Sequence, residues 1–287
     1  MKHDTLPASS GIGRVALTVG DLHEAVAFYR DVVGLAVRSR DTGAATLGTD
    51  RRPLLELRTD PDAPARPETA AGLFHTAFRL PTRAALADAL SRVRDGWRLG
   101  GASDHLVSEA LYLRDPEGNG VEIYRDRERD EWPTTDDGRV AMVTDPLDLD
   151  DLASEATGGE TVPAESDVGH VHIEVTGLDA AREFYADALG MNVRQEMSGA
   201  LFLAAGEYHH HVGCNVWNRR SKPAAGRGLD WFEVVVSTDA LAGVRDRFER
   251  AGFDPVEADA AGGEDGDGFA VTDPDGIELR VRPEGES

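Results

Sequence analysis

The stretch 103–124 carries the side chains best suited to chemistry. It holds an imidazole at His105, a phenol at Tyr112 and a carboxylate at Glu122. The run 115–120, rich in proline, glycine and asparagine, lies between the phenol and the carboxylate. Such a run favours a tight turn. We therefore predict two short strands that bring a proton donor, a base and a carboxylate to one end of a hairpin.

The carboxylate of Glu122 needs a partner in this setting. The alternation of 121–124 places Glu122 on the same strand face as Tyr124, with apolar side chains on the other face. A buried glutamate is rare unless it is paired or bound to a metal ion. The sequence therefore predicts that Glu122 is either bound to a metal ion or ion-paired in an ordinary hairpin.

This pattern resembles the signature of extradiol ring-cleaving dioxygenases. These enzymes belong to the vicinal oxygen chelate superfamily, which also holds glyoxalases and bleomycin-resistance proteins. The matching residues are His105, Leu111, Tyr112, Asp115, Pro116, Gly118 and Glu122. One residue departs from the pattern, because Ser103 stands where the signature usually has glycine.

Composition restricts the setting in which the chain works. Its 53 acidic and 30 basic residues give a formal net charge of −23, which repels nucleic acid and anionic membranes as partners. No run approaches the about 20 apolar residues of a membrane span, and no signal peptide is evident. The single Cys214 permits no internal disulfide and fits a reducing compartment. We expect a cytoplasmic protein, and the acidic surplus predicts a salt-rich cytoplasm, where self-repulsion is screened.

Two halves of the chain repeat. The run 28–35 (FYRDVVGL) returns as 184–191 (FYADALGM), and the turn 115–118 (DPEG) returns as 273–276 (DPDG). Both pairs lie a little under 160 positions apart, which indicates a duplication. Each half contains a weaker repeat of an alternating strand, an amphipathic helix and three further strands. The predicted helices end at glycines, expected to be left-handed caps, at Gly34, Gly96, Gly190 and Gly252.

The fold class that follows is α+β, built from four βαβββ modules numbered 1 to 4 in chain order. The resemblance implies that modules pair into two curved mixed sheets with helices outside, the vicinal oxygen chelate fold. We predict an N-terminal module pair over 1–126, an acidic, proline- and glycine-containing linker over 127–167, and a C-terminal pair over 168–287.

The resemblance also implies where metal ligands lie, at the start of a module's first strand and late in its last strand. Aligned first strands offer Arg14, His75, His170 and Trp231 at the first position. The last strands offer Glu122 in module 2 and Glu278 in module 4. Two imidazoles and one carboxylate therefore meet only if module 2 pairs with module 3, which predicts the ligand set His75, His170 and Glu122. For Glu278 we predict an ion pair with Arg280 rather than a metal bond.

By the same resemblance, further residues would act on the substrate. His210, on the predicted last strand of module 3, is expected to be the acid-base residue, with His209 and His211 as alternatives. His105 is expected to hydrogen-bond a substrate oxygen, and Tyr112 to hold a deprotonated oxygen. His172 either lines the cavity or is a histidine at the edge of the core.

Two histidines and one carboxylate on a metal are typical of non-haem Fe(II) oxygenases. Together with this donor set, the resemblance implies an extradiol dioxygenase that uses Fe(II) to convert a catechol and dioxygen into a ring-opened semialdehyde. Mn(II) in place of Fe(II) and homo-oligomerisation are left open. One alternative is a glyoxalase-like metal-dependent lyase or isomerase, which would need a second carboxylate ligand. The other is a metal-free protein that sequesters a small molecule.

Overall fold

The computed structural model describes residues 5–134, 140–258 and 268–285. Seventeen strands are present in the described part of the chain. Those of the first half are β1 (Gly11–Val19), β2 (Ala36–Arg40), β3 (Ala44–Gly48), β4 (Pro53–Thr59), β5 (Gly72–Leu80), β6 (Gly101–Asp104), β7 (Ser108–Arg114), β8 (Gly120–Asp126) and β9 (Asp145–Pro146). Those of the second half are β10 (Asp167–Glu174), β11 (Asn192–Met197), β12 (Ala200–Ala204), β13 (Val212–Asn215), β14 (Gly228–Val236), β15 (Val256–Glu257), β16 (Phe269–Thr272) and β17 (Glu278–Pro283).

Five α-helices connect these strands within the described residues. They are α1 (Leu22–Phe28), α2 (Arg83–Gly96), α3 (Leu149–Ala153), α4 (Leu178–Ala181) and α5 (Thr238–Arg250). Short π-helical segments extend α1 over Tyr29–Val33 and α4 over Arg182–Ala188, and a 3₁₀ turn covers Arg129–Glu131. None of the helices in the described part of the chain is long and apolar enough to cross a membrane.

The element order confirms the four predicted βαβββ modules. Module 1 is β1, α1 and β2 to β4, and module 2 is β5, α2 and β6 to β8. Module 3 is β10, α4 and β11 to β13, and module 4 is β14, α5 and β15 to β17. The strands form two mixed sheets with the orders β15-β16-β17-β14-β1-β4-β3-β2 and β11-β12-β13-β10-β5-β8-β7-β6-β9. Module 2 thus shares a sheet with module 3, and module 1 with module 4, as predicted.

Local sequence explains where the helices begin. Asp21 precedes α1, and its side chain accepts a hydrogen bond from the backbone N–H of Glu24 at 2.9 Å. Thr82 precedes α2 and accepts from the N–H of Ala85 at 3.1 Å. Both side chains satisfy a first-turn donor that has no partner within the helix.

The helix ends agree with the prediction at three of four glycines. Gly34, Gly190 and Gly252 have φ values of 93°, 94° and 87°, which glycine adopts at little cost. The prediction is wrong for Gly96, which is the last residue of α2 and not a left-handed cap. Trp97 ends this helix with an extended backbone instead, and its ring contacts Phe28 at 5.0 Å between centroids.

The chain folds into two compact units. The N-terminal unit comprises Ala16–Ala65 and Phe74–Gly169, and the C-terminal unit comprises Met1–Val15, Arg66–Leu73 and His170–Ser287. The borders fall within β1, β10 and close to the start of β5. Each of these strands therefore contributes residues to both units.

One buried contact is repeated in the two units. In the N-terminal unit, the Tyr29 hydroxyl donates to Asp115 Oδ2 at 3.1 Å. In the C-terminal unit, the Tyr185 hydroxyl donates to Asp273 Oδ2 at 2.9 Å. Each tyrosine lies in a π-helical segment, and each aspartate begins a repeated DP turn. The duplication therefore preserved a specific contact between a helix and a turn, and not only the order of elements.

Candidate metal centre and active site

The N-terminal unit places an imidazole and a carboxylate side by side. β5 and β8 pair in parallel, with His75 opposite Gly120 and Ala77 opposite Glu122. His75 Nε2 lies 3.1 Å from Glu122 Oε2. The two residues are only 7% and 3% exposed. A carboxylate this deeply buried is stable only with a cation or hydrogen-bond donors close by.

The C-terminal unit presents a cluster of imidazoles. His170 lies on β10, and its ring centroid is 4.2 Å from that of His210 and 6.0 Å from that of His209. The Nδ1 atoms of His209 and His210 are 2.8 Å apart. Because a hydrogen bond between two nitrogens needs one donor and one acceptor, only one of these Nδ1 atoms carries the proton.

His75, Glu122 and His170 each offer one ligand atom, and these atoms all lie within 4.8 Å of one another. The border between the units falls between Gly169 and His170. Because the two residues are consecutive, the contacts of Gly169 also restrict the backbone position of His170. Gly169 lies so close to Tyr124 of β8 that a Cβ atom would be 1.8 Å from its hydroxyl oxygen. Asp167 forms an ion pair with Arg79 of β5 at 2.6 Å. The start of β10 is therefore held against the strands that carry His75 and Glu122.

The donor set fits a divalent transition metal ion. Nitrogen and oxygen ligands at about 2.1 Å from an octahedral metal lie about 3 Å apart in neighbouring positions, which the 3.1 Å separation of His75 and Glu122 matches. Two histidines and one carboxylate are the donors of the facial triad of non-haem Fe(II) oxygenases. All three side chains are buried, which suits a site that must exclude bulk water.

Beside this group, Tyr112 and His105 form a polar pair. The Tyr112 hydroxyl lies 2.7 Å from His105 Nε2, and His105 Nδ1 lies 2.6 Å from the carbonyl oxygen of Val143. Since a carbonyl only accepts, Nδ1 carries a hydrogen, and in the neutral ring Nε2 accepts from the phenol. Burial and the charge of nearby Glu122 raise the pKa of Tyr112 well above its usual value. Both nitrogens of His105 are engaged, so its contacts indicate that it orients the phenol.

A family model described as "Glyoxalase/Bleomycin resistance protein/Dioxygenase superfamily" matches residues 11–123 and 167–281. The chain belongs to this superfamily. A catechol-2,3-dioxygenase of Bacillus subtilis (strain 168) is 38% identical over 274 residues, covering 92% of this chain and 93% of that protein.

Solved structures of the superfamily share the fold. A putative dioxygenase from Bacillus subtilis superposes with a TM-score of 0.68 at 14% identity, covering 96% of this chain and 86% of the other. Glyoxalase I from Zea mays superposes with a TM-score of 0.58 at 14% identity, covering 96% and 92%. These two likenesses concern the fold alone.

The positions that correspond to His75 and Glu122 carry different side chains in module 4. Trp231 lies opposite Glu278 on paired strands, as His75 lies opposite Gly120. By this register the equivalent of Glu122 is Arg280, two residues beyond Glu278, so the alignment of Glu278 with Glu122 was wrong. The sequence alignment paired Glu278 with Glu122 because both are carboxylates, and it did not account for the register between the paired strands.

The side chains around Trp231 are held by charge pairs. Arg280 pairs with Glu278 at 2.7 Å, which confirms the predicted ion pair, and its guanidinium carbon lies 4.1 Å from the Trp231 ring centroid. Arg14 pairs with Glu233 at 2.7 Å. Burial would raise the pKa of Glu233, but the hydrogen bonds and charge of Arg14 hold it below its usual value. The guanidinium groups of Arg14 and Arg280 thus both lie close to the Trp231 ring.

The histidine run 209–211 differs from its prediction in local structure. The run was predicted on the last strand of module 3, where successive side chains would face opposite sides, but β13 begins only at Val212. His209 and His210 are both buried, at 2% and 9% exposure. His211 Nδ1 accepts from the N–H of Ala205 at 3.1 Å. Strand alternation therefore does not separate His210 from His209, because this segment turns.

The His172 side chain joins an aromatic group in the C-terminal unit. Its ring centroid lies 5.4 Å from Trp217, 5.6 Å from Phe202 and 6.3 Å from His210. His172 is 3% exposed. It therefore packs within the same side-chain group as His210, and Gly213 leaves the space that its ring fills, since a Cβ there would be 2.7 Å from His172 Cδ2.

A cavity of about 640 Å³ opens in the N-terminal unit. His75 and Tyr112 both line it, together with Phe74, Arg98 and Arg114. This volume is in the range of small-molecule sites. The sequence analysis missed both arginines. The only signal for one of them was its position, since Arg114 lies two residues after Tyr112 and hence on the same strand face.

Proposed function

We propose that the protein is an extradiol ring-cleaving dioxygenase, which converts a catechol or substituted catechol and dioxygen into a ring-opened semialdehyde. The observation that carries the proposal is the buried group of two histidines and one glutamate, whose ligand atoms lie within 4.8 Å of one another. The 38% identity to a catechol-2,3-dioxygenase along nearly the whole chain supports the same reaction class.

In this proposal, His75, His170 and Glu122 hold Fe(II). When bound there, Fe(II) would provide the orbitals through which electrons pass from a catechol to dioxygen, with no net change in its own oxidation state. The first contribution of the chain is the negative charge of Glu122. Glu122 leaves one net positive charge on a divalent ion, which a catecholate monoanion neutralises. Burial of the three side chains keeps water away from the site.

Tyr112 and His105 orient the substrate in this proposal. The phenol of Tyr112 lines the cavity beside His75, with a ring centroid separation of 6.0 Å. His105 accepts the phenol proton through Nε2 and is itself held by the Val143 carbonyl. This chain of hydrogen bonds uses the phenol proton and fixes the direction of the phenol oxygen, which in this proposal accepts a hydrogen bond from a catechol hydroxyl. Tyr112 is therefore the residue that contacts the substrate, and His105 positions it.

His210 is the acid-base residue of the proposal. A catechol must lose its second hydroxyl proton, and the ring-opened product must later gain a proton. One imidazole can accept the first proton and donate it back at the later stage. The His210 ring lies 4.2 Å from His170, close to the proposed ligands. Nδ1 of His210 lies 2.8 Å from Nδ1 of His209, and in this proposal Nε2 of His210 is the atom that exchanges the proton with the substrate.

The donor set disfavours the two alternative functions. A glyoxalase-like lyase or isomerase needs a second carboxylate ligand, whereas the group found in the described part of the chain has one carboxylate and two imidazoles. A metal-free sequestering protein has no need of a buried group of this kind. The proposal therefore stays with dioxygen chemistry.

The deciding experiment is a ring-cleavage assay. The protein is loaded with Fe(II) without oxygen, mixed with catechol and exposed to air, while oxygen uptake and the yellow colour of a semialdehyde are recorded. We expect one dioxygen consumed for each ring opened. Absence of both signals across catechol and its substituted forms would overturn the proposed function. Loading with Mn(II) in parallel tests which ion supports turnover.

A further inference from the structure

Two arginines of the N-terminal unit line the cavity of the proposed catechol site. Arg98 and Arg114 line the same cavity as His75 and Tyr112. Both residues are exposed. Basic groups at this place are noteworthy in a chain with a formal net charge of −23, because the overall field of the protein repels anions.

Neither arginine is neutralised by an acidic neighbour. Across residues 5–134, 140–258 and 268–285, neither Arg98 nor Arg114 forms an ion pair, and the only hydrogen bond from Arg114 runs to the Gly118 carbonyl at 2.8 Å. Guanidinium has five N–H donors, so most donors of both side chains can bind a ligand. The acidic residue of the cavity, Asp115, is turned to other partners, since its carboxylate accepts from Tyr29 and Asn119.

Local structure fixes where the two arginines lie. The Trp97 indole donates to the Arg114 carbonyl at 2.8 Å, which ties the end of α2 to the end of β7. Arg98 follows Trp97 directly, so this bond also sets the position of its backbone. On β7, Tyr112 and Arg114 lie two residues apart and share one face of the strand. Arg114 is thus held two residues from Tyr112 on the same strand face, and Arg98 lines the same cavity.

We infer that the substrate is a catechol that carries an anionic substituent, such as a carboxylate, bound by Arg98 and Arg114. This inference rests on the proposed ring cleavage and names the substrate class. A planar carboxylate accepts two parallel hydrogen bonds from one guanidinium. Fe(II) with Glu122 already balances the catecholate charge, so a second negative charge on the substrate needs a separate cationic partner. The arginine pair supplies it, and Phe74 and Trp97 line the same cavity.

The test compares two substrates in three iron-loaded proteins. The substrates are 3,4-dihydroxybenzoate, which carries a carboxylate, and 4-methylcatechol, which does not. The proteins are the wild type, the double variant R98Q/R114Q and the control R40Q, which removes one exposed charge from the edge strand β2. We expect the double variant to lower kcat/KM for 3,4-dihydroxybenzoate about tenfold, mainly through KM, and to change 4-methylcatechol less than about twofold. R40Q should change neither.

The outcome is read from the ratio of the two kcat/KM values. A fall in the ratio of about fivefold or more in R98Q/R114Q, with R40Q unchanged, supports the inference. A smaller fall, or an equal fall in R40Q, overturns it. Circular dichroism of each variant checks that the fold is retained.

A binding measurement separates this inference from the proposed function. Isothermal titration calorimetry without dioxygen measures the affinity of 3,4-dihydroxybenzoate for each protein. If no catechol is cleaved by the wild type, the proposed function fails, while weaker binding in R98Q/R114Q than in R40Q still supports the arginine site. Equal affinity in all three proteins refutes the arginine site even when ring cleavage is found.

Discussion

Nε2 of His75 lies 3.1 Å from Oε2 of Glu122 on two parallel strands. The register sets this distance, because a shift of one residue would turn one of the side chains to the other face of the sheet. The pair therefore depends on the whole hydrogen-bonded ladder between β5 and β8.

Loss of the Glu122 carboxylate should abolish metal binding. Glu122→Gln keeps the shape of the side chain but removes its charge, so the ion would be held by two neutral imidazoles alone. We expect bound Fe(II) to fall from one equivalent to less than about 0.1 equivalent under conditions that saturate the wild type. Metal content after gel filtration measures this.

Glu278→Gln is the matched control. This change removes a strand carboxylate that is paired with Arg280 and lies in module 4. The account expects one equivalent of Fe(II) in this variant. A full equivalent of iron in Glu122→Gln, or its loss in Glu278→Gln, would refute the assignment of Glu122.

Replacement of His210 should slow turnover and spare binding. His210→Gln removes the imidazole beside His170, and general acid-base catalysis contributes about 10²- to 10⁴-fold to rate. We expect kcat to fall by about that range, while iron content and the anaerobic affinity for catechol stay near those of the wild type. An unchanged kcat would remove His210 from the mechanism.

The neighbouring histidines serve as comparisons for His210. His211→Gln should leave kcat within about threefold, because His211 Nδ1 is bound to the Ala205 backbone N–H. His209→Gln should have an intermediate effect, since its Nδ1 is bonded to that of His210. A larger loss in His211→Gln than in His210→Gln would transfer the acid-base role.

Tyr112 and His105 should act as one unit. Tyr112→Phe removes the phenol oxygen and should lower kcat about 10- to 100-fold, and His105→Ala should lower it less because the phenol remains. If His105 acts through Tyr112, then His105→Ala in the Tyr112→Phe background has no further effect on kcat. Additive losses in the double variant would instead show that His105 contacts the substrate itself.

Sequence reasoning predicted much of the fold because the duplication is visible in the residues. The repeated FY and DP runs identify two halves, and the weaker repeat of strand and helix within each half gives four modules. The shortage of ligands within each half predicts that module 2 shares a sheet with module 3. The strand order confirms this pairing. The Tyr29 and Asp115 contact was not predicted, since a contact across 86 positions leaves no periodic pattern in the sequence.

The errors have physical causes. The run 209–211 was assigned to a strand because it directly precedes apolar strand residues, but β13 begins only at Val212. In the structure the His210 ring contacts His170, and His211 accepts from the Ala205 N–H. Glu278 was aligned with Glu122 by residue type, whereas the ladder places Arg280 at that position. Arg98 and Arg114 carry no motif, because only the fold brings a helix end and a strand end to one cavity.

The acidic surplus should make stability depend on salt. With a formal net charge of −23, the folded chain repels itself, and ions shorten the reach of that repulsion from about 10 Å at 0.1 M to about 3 Å at 1 M. We expect the midpoint of thermal unfolding to rise by more than about 10 °C between 0.1 M and 2 M KCl.

A variant with fewer surface charges is the control for this salt effect. Asp62, Asp95 and Asp187 are exposed, and replacement of all three by Asn removes three negative charges without touching the site. The rise in unfolding midpoint with KCl should be smaller in this variant than in the wild type. Equal midpoints for the wild type in dilute and molar salt would exclude adaptation to a salt-rich cytoplasm.

The central claim is that His75, Glu122 and His170 hold a single ion, and anomalous diffraction at the iron edge tests it most directly. Crystals of the protein loaded with Fe(II) without oxygen would be measured above and below the edge. The account predicts one strong anomalous peak within about 2.3 Å of a donor atom on each of the three side chains. A peak elsewhere, or one bonded to fewer than all three, would contradict the account.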